Sequence, residues 1–417
     1  MSCITFKHFE TWGKTNTNID QRLCIHYLVS WSMKKVILIL VLDLLLVSCV
    51  APTARLPDIN SAEIKEQEER QKRLSYSNFS NQFQRTHNIA FKINLANEDI
   101  CIKKKFDLGF KVSNSNAVGD KEAPFYPKEL NLGSKLSIVS IAENSESIKS
   151  GLMIGDKIEM INGGTIGDGK KALKNFSKIK EKILTGHEVD LRIYRNGVMK
   201  DISFFPNEVC GYPLVFTKDQ IINAFADGKY TYITQGIAEY TLDDNELALV
   251  VGHELAHNNR GHIDAKKTNV LIGTLIGFTL DMIVVASGGY SDGEFTDILS
   301  QLGAKAWTVE FEQEADYAGL YYAKRAGFDI SNANEFWTRM GAKNPSAIAH
   351  NSTHPATAAR FVALKSTVKE IEAKINSGLE LKPNEKKQVQ VKKENKKKKK
   401  KFDLKKIFKK KKKDSDD

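Results

Sequence analysis

The sequence predicts a chain of two textures, a β-rich module followed by a mainly helical one, and three observations carry that prediction. Between Cys101 and Cys210, short runs such as Leu136-Ser137-Ile138, Lys157-Ile158-Glu159-Met160 and Val189-Asp190-Leu191-Arg192-Ile193 alternate apolar and polar residues, the period of half-buried strands. Downstream, Asp243 with Glu246 three residues later forms a capping box ahead of Leu247-Ala248-Leu249-Val250-Val251, so a helix starts there. A second helix is predicted from Thr308 through Gly319, ended by Gly327.

The chain has 417 residues, 41% hydrophobic and 27% charged, with 27 Gly and 9 Pro. This is room for about two or three globular domains and excludes collagen-like or wholly disordered chains. The net charge is +11, but from Lys382 to Asp417 eighteen lysines against six acids give +12, which leaves −1 for the rest. The basicity belongs to the tail alone, and nucleic acid is not an expected partner.

From Met33 the chain reads as a charged start, Met33-Lys34-Lys35, an apolar run from Val36 to Val47, and the small residue Ser48 before Cys49. That order is a secretory signal, and the run is too short for a bilayer span of about 20 residues. Leu46-Val47-Ser48-Cys49 resembles the bacterial lipobox. The resemblance implies that Cys49 is the lipidated first mature residue, 33–48 its signal peptide, and 1–32, with Cys3 and Cys24, an upstream extension. It places the chain in the bacterial cell envelope, facing the periplasm at the outer membrane. Cys101 and Cys210 are then two thiols in an oxidising compartment and are expected to form a disulfide.

In residues 49–98, the start Ser61-Ala62-Glu63-Ile64 and the run of Glu, Gln, Lys and Arg through Leu74 predict a helix without an apolar face, a stalk or linker. Residues 99–210 are the β-rich module, with Asn196-Gly197 as a hairpin turn and Leu173, Phe176, Ile179 and Ile183 as one helix stripe. The segment Ser150-Gly151-Leu152-Met153-Ile154-Gly155-Asp156-Lys157-Ile158-Glu159-Met160-Ile161-Asn162-Gly163 resembles bacterial PDZ domains. By that resemblance the module binds peptides by adding a strand to a sheet edge, and Leu108-Gly109-Phe110 supplies the loop that receives a terminal carboxylate. A bond between Cys101 and Cys210 would clip the module's ends together.

The capped helix carries His253-Glu254-Leu255-Ala256-His257. Its two histidines lie one turn apart on one face, about 5–6 Å between Cβ atoms, so both imidazoles can reach one Zn2+ ion. Glu254 lies about 100° around the axis, beside the ion, where it can act as general base toward a water. Catalytic zinc wants a third protein ligand, and Arg260-Gly261-His262 misses the metzincin register, so His262 reads as a helix C-terminal residue near a Gly stop. On the second helix, Glu312 and Asp316 share a stripe with the small residues Ala315, Gly319 and Ala323, whereas Glu310 and Glu314 point to a wetter face. Glu312 is therefore the chosen ligand, and Asp316 is expected to accept the second ring N–H of a ligand histidine.

These two motifs, His253-Glu254-Leu255-Ala256-His257 and Glu312-Gln313-Glu314-Ala315-Asp316, together resemble the minigluzincin zinc peptidases, the group that includes HtpX, the CAAX prenyl proteases and the BepA-like enzymes. Asn223-Ala224-Phe225-Ala226, Gly327-Phe328-Asp329, and Thr353-His354-Pro355 with Arg360 resemble that family's strand before the active helix, its turn after the ligand helix, and its late loop and helix start. The resemblance covers about residues 213 to 370, within a domain set at 211–375. It implies an α+β fold class, a mainly helical peptidase domain with a short sheet whose edge strand aligns the substrate backbone. It also places His354 on a loop that can approach the metal, either to stabilise the oxyanion or to occupy the open position.

Val270 to Ala286 is apolar but interrupted by Asp281, and a buried helix or a flap over the cleft is expected there rather than a membrane span. In the tail, 376–417, Lys396 to Lys401 and Lys409 to Lys413 preclude a packed core, and the lysines suit either an anionic membrane surface or solvation. The expected function is zinc-dependent endoproteolysis of unfolded polypeptides, with the PDZ-like module selecting them. A peptide-binding scaffold or holdase with a structural zinc site is the alternative.

Overall fold

A computed structural model describes residue 54 and residues 57–386, apart from 184, 287–290, 306–307 and 344–357. The predicted signal segment, Cys49, His354 and the tail beyond 386 lie outside the described residues.

Helix α1, Ser61–Ala96, runs well past the polar stretch that predicts it. From Thr86 onward charge gives way to Ile89, Phe91 and Ile93, and these side chains are buried. The segment expected as a stalk is thus part of the core in its second half.

The β-rich module begins with β1 (Lys104–Asp107) and β2 (Phe110–Ser113) and continues through β3 (Ser137–Ile141), β4 (Lys157–Ile161), β5 (Gly164–Thr165), β6 (Val189–Arg195), β7 (Val198–Phe204) and β8 (Asn207–Cys210). The sheet order is β2-β3-β4-β6-β7, antiparallel throughout, with β5 paired to β4, while β1 and β8 form a separate ribbon. Along β6, Val189, Leu191 and Ile193 are buried and Asp190 and Arg192 exposed, the alternation of a sheet with one wet face. Asn196 (φ 50°) and Gly197 (φ 87°) join β6 to β7 with Arg195 opposite Val198, and two positive φ values match the right-handed strand twist. Helix α2, Gly169–Ile183, lays Phe176 over Phe110 in the module's core. Cys101 and Cys210 form a disulfide with Cα atoms 5.5 Å apart.

After it come β9 (Leu214–Thr217), β10 (Ala224–Ala226) and β11 (Thr231–Thr234), ordered β10-β11-β9. Among the described residues six longer helices follow: α3 (Asp244–Asn259), α4 (His262–Ala286), α5 (Glu294–Lys305), α6 (Thr308–Arg325), α7 (Ala333–Lys343) and α8 (Ala358–Asn376). The fold class is α+β, a mainly helical domain with a short sheet behind a β-rich one.

Asp243 caps α3 by accepting the Glu246 N–H at 2.9 Å, and the Glu246 carboxylate turns back to accept the Leu242 N–H at 2.8 Å. Two observations differ from expectation. Gly261 (φ 71°) does not end the helical region: a new helix starts at the next residue, so His262 opens α4 rather than closing α3. And the apolar stretch after Val270 is not a buried helix; in α4 it packs along α5, with Leu271, Leu275 and Ile283 facing outward and exposed.

Candidate metal centre

The core of the helical domain is the crossing of α3 and α6. They meet at two glycines: a Cβ on Gly252 would stand 2.6 Å from the Gly319 carbonyl oxygen, and one on Gly319 would stand 2.8 Å from the His253 nitrogen. No larger residue fits at either position without separating the helices. That close approach carries His253 and His257 of α3 up to Glu312 of α6, all three fully buried.

Their donor groups form a tight triangle, with ligand atoms within 4.8 Å of one another. His253 Nε2 lies 3.1 Å from His257 Nε2 and 3.4 Å from Glu312 Oε2, and His257 Nε2 lies 3.3 Å from Glu312 Oε1. Tetrahedral coordination with bonds of about 2.0–2.1 Å separates its donors by about 3.3–3.4 Å. The two imidazole nitrogens, each facing a different oxygen of the Glu312 carboxylate, thus lie at separations close to those of donors that share one such ion. Two neutral nitrogens and a carboxylate are also the donor chemistry that a divalent ion of this kind takes. Glu254, one residue along α3, is buried beside this triangle.

Residues 196–368 match the family model described as peptidase family M48, and residues 107–204 match that of the PDZ domain. The chain carries a family M48 metallopeptidase domain behind a PDZ domain. A Vibrio cholerae protein named a beta-barrel assembly-enhancing protease is 32% identical over 130 residues, 30% of this chain and 27% of that protein. The mitochondrial metalloendopeptidase OMA1 of Arabidopsis thaliana is 27% identical over 156 residues, 36% of this chain and 30% of that protein. Its Saccharomyces cerevisiae namesake is 27% identical over 147 residues, 33% of this chain and 41% of that protein. The chain spans less than half the length of these curated relatives.

In the M48 domain each histidine is held from behind. His253 Nδ1 lies 2.9 Å from Asp316 Oδ1, so its proton sits on Nδ1 and its Nε2 faces the triangle. Burial disfavours a charged imidazole, but the hydrogen bonds to Asp316 and Glu312 outweigh it and push His253 up to about 10. Arg360 of α8 holds Asp316 in turn, with Nε 2.7 Å from Oδ2 and Nη2 2.8 Å from Oδ1, and its Nη1 reaches 3.2 Å from Glu312 Oε2. Burial opposes both charges, yet their pairing holds the Asp316 carboxyl below its ordinary range and raises Arg360.

His257 is backed by a residue that the sequence reading had assigned elsewhere. Because α4 restarts after one glycine, His262 folds back over His257, with the two Nδ1 atoms 3.1 Å apart, and its Nε2 lies 3.2 Å from Glu314 Oε2. The His262 ring is buried and stacks on Phe311 at 4.6 Å. If His257 presents Nε2 to the triangle, its Nδ1–H donates to His262 Nδ1, and His262 Nε2–H donates to Glu314. Trp337 of α7 closes the other side, its ring 5.2 Å from that of His253 and under the Arg360 guanidinium. Neither Trp337 nor His262 carries a sequence signal beyond its residue type. His354 lies outside the described residues.

In the PDZ domain, Gly109 sits at the turn from β1 to β2 with φ 72°, and β2 is an edge strand. The Gly109 N–H donates to the Asp107 carboxylate at 2.9 Å, with the Lys105 ammonium 3.4 Å from that group. Burial alone would raise Asp107, but Lys111, Lys105 and Lys180 hold it well below the usual carboxylate range.

Proposed function

We propose that this chain is a zinc endopeptidase of the gluzincin type, anchored by a lipid on Cys49 in the bacterial cell envelope, facing the periplasm at the outer membrane. It hydrolyses peptide bonds of unfolded or misfolded polypeptides, and its PDZ domain selects them. The observation that carries this reading is the donor triangle of His253, His257 and Glu312 with Glu254 buried beside it.

His253, His257 and Glu312 would hold the zinc, which when bound supplies the positive charge that polarises the scissile carbonyl and acidifies the attacking water. Glu254 takes the proton from that water and returns one to the leaving amine. Asp316 with Arg360, and His262 with Glu314, keep the two imidazoles in the tautomers the metal needs. His354, as the family resemblance implies, would stabilise the oxyanion or block the open position in a latent state. An extended substrate backbone would add to the exposed edge of β10, where Phe225 is 40% exposed. A buried general base supports hydrolysis over a structural zinc site, which has no use for one.

The test compares wild type with Glu254→Gln on casein. The proposal expects equal zinc content and loss of cleavage by at least a hundredfold. Equal cleavage by both proteins would end it.

A further inference from the structure

The hairpin of α4 and α5 is built inside out. Along α4 from Leu271 to Val284 the buried positions are Gly277 and Asp281. Leu271, Ile272, Leu275, Ile276, Phe278 and Ile283 are each more than half exposed. At 100° per residue these six make one broad stripe, and Gly273, Gly277 and Asp281 make the opposite one. The second stripe faces α5: a Cβ at Gly273 would collide with the Leu299 carbonyl, and one at Gly277 with the Phe295 carbonyl.

The polar side chains of this stretch of α4 are hydrogen-bonded within the hairpin. Asp281 accepts from the Thr296 N–H at 2.9 Å, the Thr296 hydroxyl at 2.6 Å, the Phe295 N–H at 3.2 Å and the Ser291 hydroxyl. The Thr274 and Thr279 hydroxyls donate to the carbonyls of Val270 and Leu275, four residues back in the same helix, each at 2.8 Å. In water this arrangement leaves a contiguous apolar surface uncovered, which soluble monomers rarely tolerate. Against hydrocarbon it is the favourable one, with small residues at the helix contact and the side-chain polar groups of Thr274, Thr279 and Asp281 satisfied internally.

We infer that the outward face of α4 docks into the acyl layer of a lipid bilayer. Protein interfaces carry about one hydrogen bond per 100–200 Å², whereas the one polar side chain within this stripe, Thr279, has its hydroxyl committed to the Leu275 carbonyl and no charged group stands on the stripe. Lys266 and Lys267 stand at the base of α4, just before the apolar run, where lipid phosphates would lie. Among the described residues α4 is the one helix long and apolar enough to cross a membrane. Asp297 and Gln301 of α5 are nevertheless exposed, so the hairpin lies in one leaflet on its α4 face, about 5–10 Å deep. Its two ends lead directly into the candidate metal centre, at His262 and, seven residues past α5, at Glu312. Where the peptidase reading also holds, the site is fixed at the membrane surface and its substrates are chains exposed there.

The test is flotation of the full chain with phosphatidylcholine vesicles at high salt, which removes any pull from the lysine tail, in a Cys49→Ser background that cannot be acylated. The unaltered hairpin is expected to float. Leu275→Glu with Phe278→Glu, checked for unchanged helix content, should lower the partition coefficient at least tenfold. Leu275→Trp should be quenched by brominated acyl chains, and Gln301→Trp should not. Flotation unchanged by the two glutamates, flotation only with anionic lipid, or a soluble dimer that the glutamates dissociate without vesicle binding would each overturn the inference. None of these readouts depends on proteolysis, so failure here leaves the casein test untouched.

Discussion

Arg360 grips Asp316 through two parallel hydrogen bonds of 2.7 and 2.8 Å, both side chains being buried beneath the donor triangle. Removing one member of such a pair strands the other as an uncompensated buried charge. Arg360→Met, close in volume, is expected to cost about 3–5 kcal/mol of stability, read as a lowered denaturation midpoint. It should also weaken zinc binding, since Asp316 then favours protonation over accepting from His253.

The contact of His262 with His257 predicts a loss of metal affinity without loss of a ligand. His262→Ala should weaken zinc about 10–100-fold in competition with a chelator, and Glu314→Gln, at a half-exposed carboxylate, should weaken it less. An unchanged affinity in both variants would mean that His262 only fills space.

Gly319→Ala should act through the backbone. The added methyl meets the His253 main chain, so α3 and α6 must part by a few tenths of an ångström or more. Overpacking of this kind costs about 1–3 kcal/mol. The expected result is a lowered melting temperature together with weaker zinc binding, whereas Ala at the unobstructed Gly261 should be strained only by its φ of 71°.

His87 predicts a pH dependence. It is buried on α1 with Nδ1 2.6 Å from the Ser140 hydroxyl, and burial, aided by Lys111, lowers its pKa from 6.5 to about 3. A depressed folded-state pKa means that the unfolded chain binds the proton more readily, so stability present above pH 6.5 falls as the pH drops toward 3. The slope for this single proton is about 1.4 kcal/mol per pH unit. His87→Gln should flatten denaturation midpoints measured across that window.

How far the sequence reached depends on how local each signal is. The capping box at Asp243 and Glu246 and the one-turn spacing of His253 and His257 are properties of a single helix, and α3 has both. Glu312 and Asp316 were separable from Glu310 and Glu314 because small residues on one stripe mark the face that meets a neighbour, and Glu312 is buried where Glu314 is exposed. His262 was not legible: a Gly stop says that one helix ends, not that another begins at the next residue and turns its first side chain back. Arg360 and Trp337 arrive from later helices that no spacing rule links to α3. For α4, composition identified an apolar segment but not its surroundings, since a core helix and a lipid-facing one differ in which stripe carries the glycines and Asp281, and that requires knowing where α5 lies.

The central claim is that His253, His257 and Glu312 share one zinc ion, and the most direct measurement is zinc stoichiometry and affinity of purified wild type beside Glu312→Gln. The account predicts one tightly held ion per chain in the wild type and a loss of affinity of at least a hundredfold in the variant. Wild-type protein that binds no zinc, or a Glu312→Gln protein that binds it as tightly as the wild type, would contradict it.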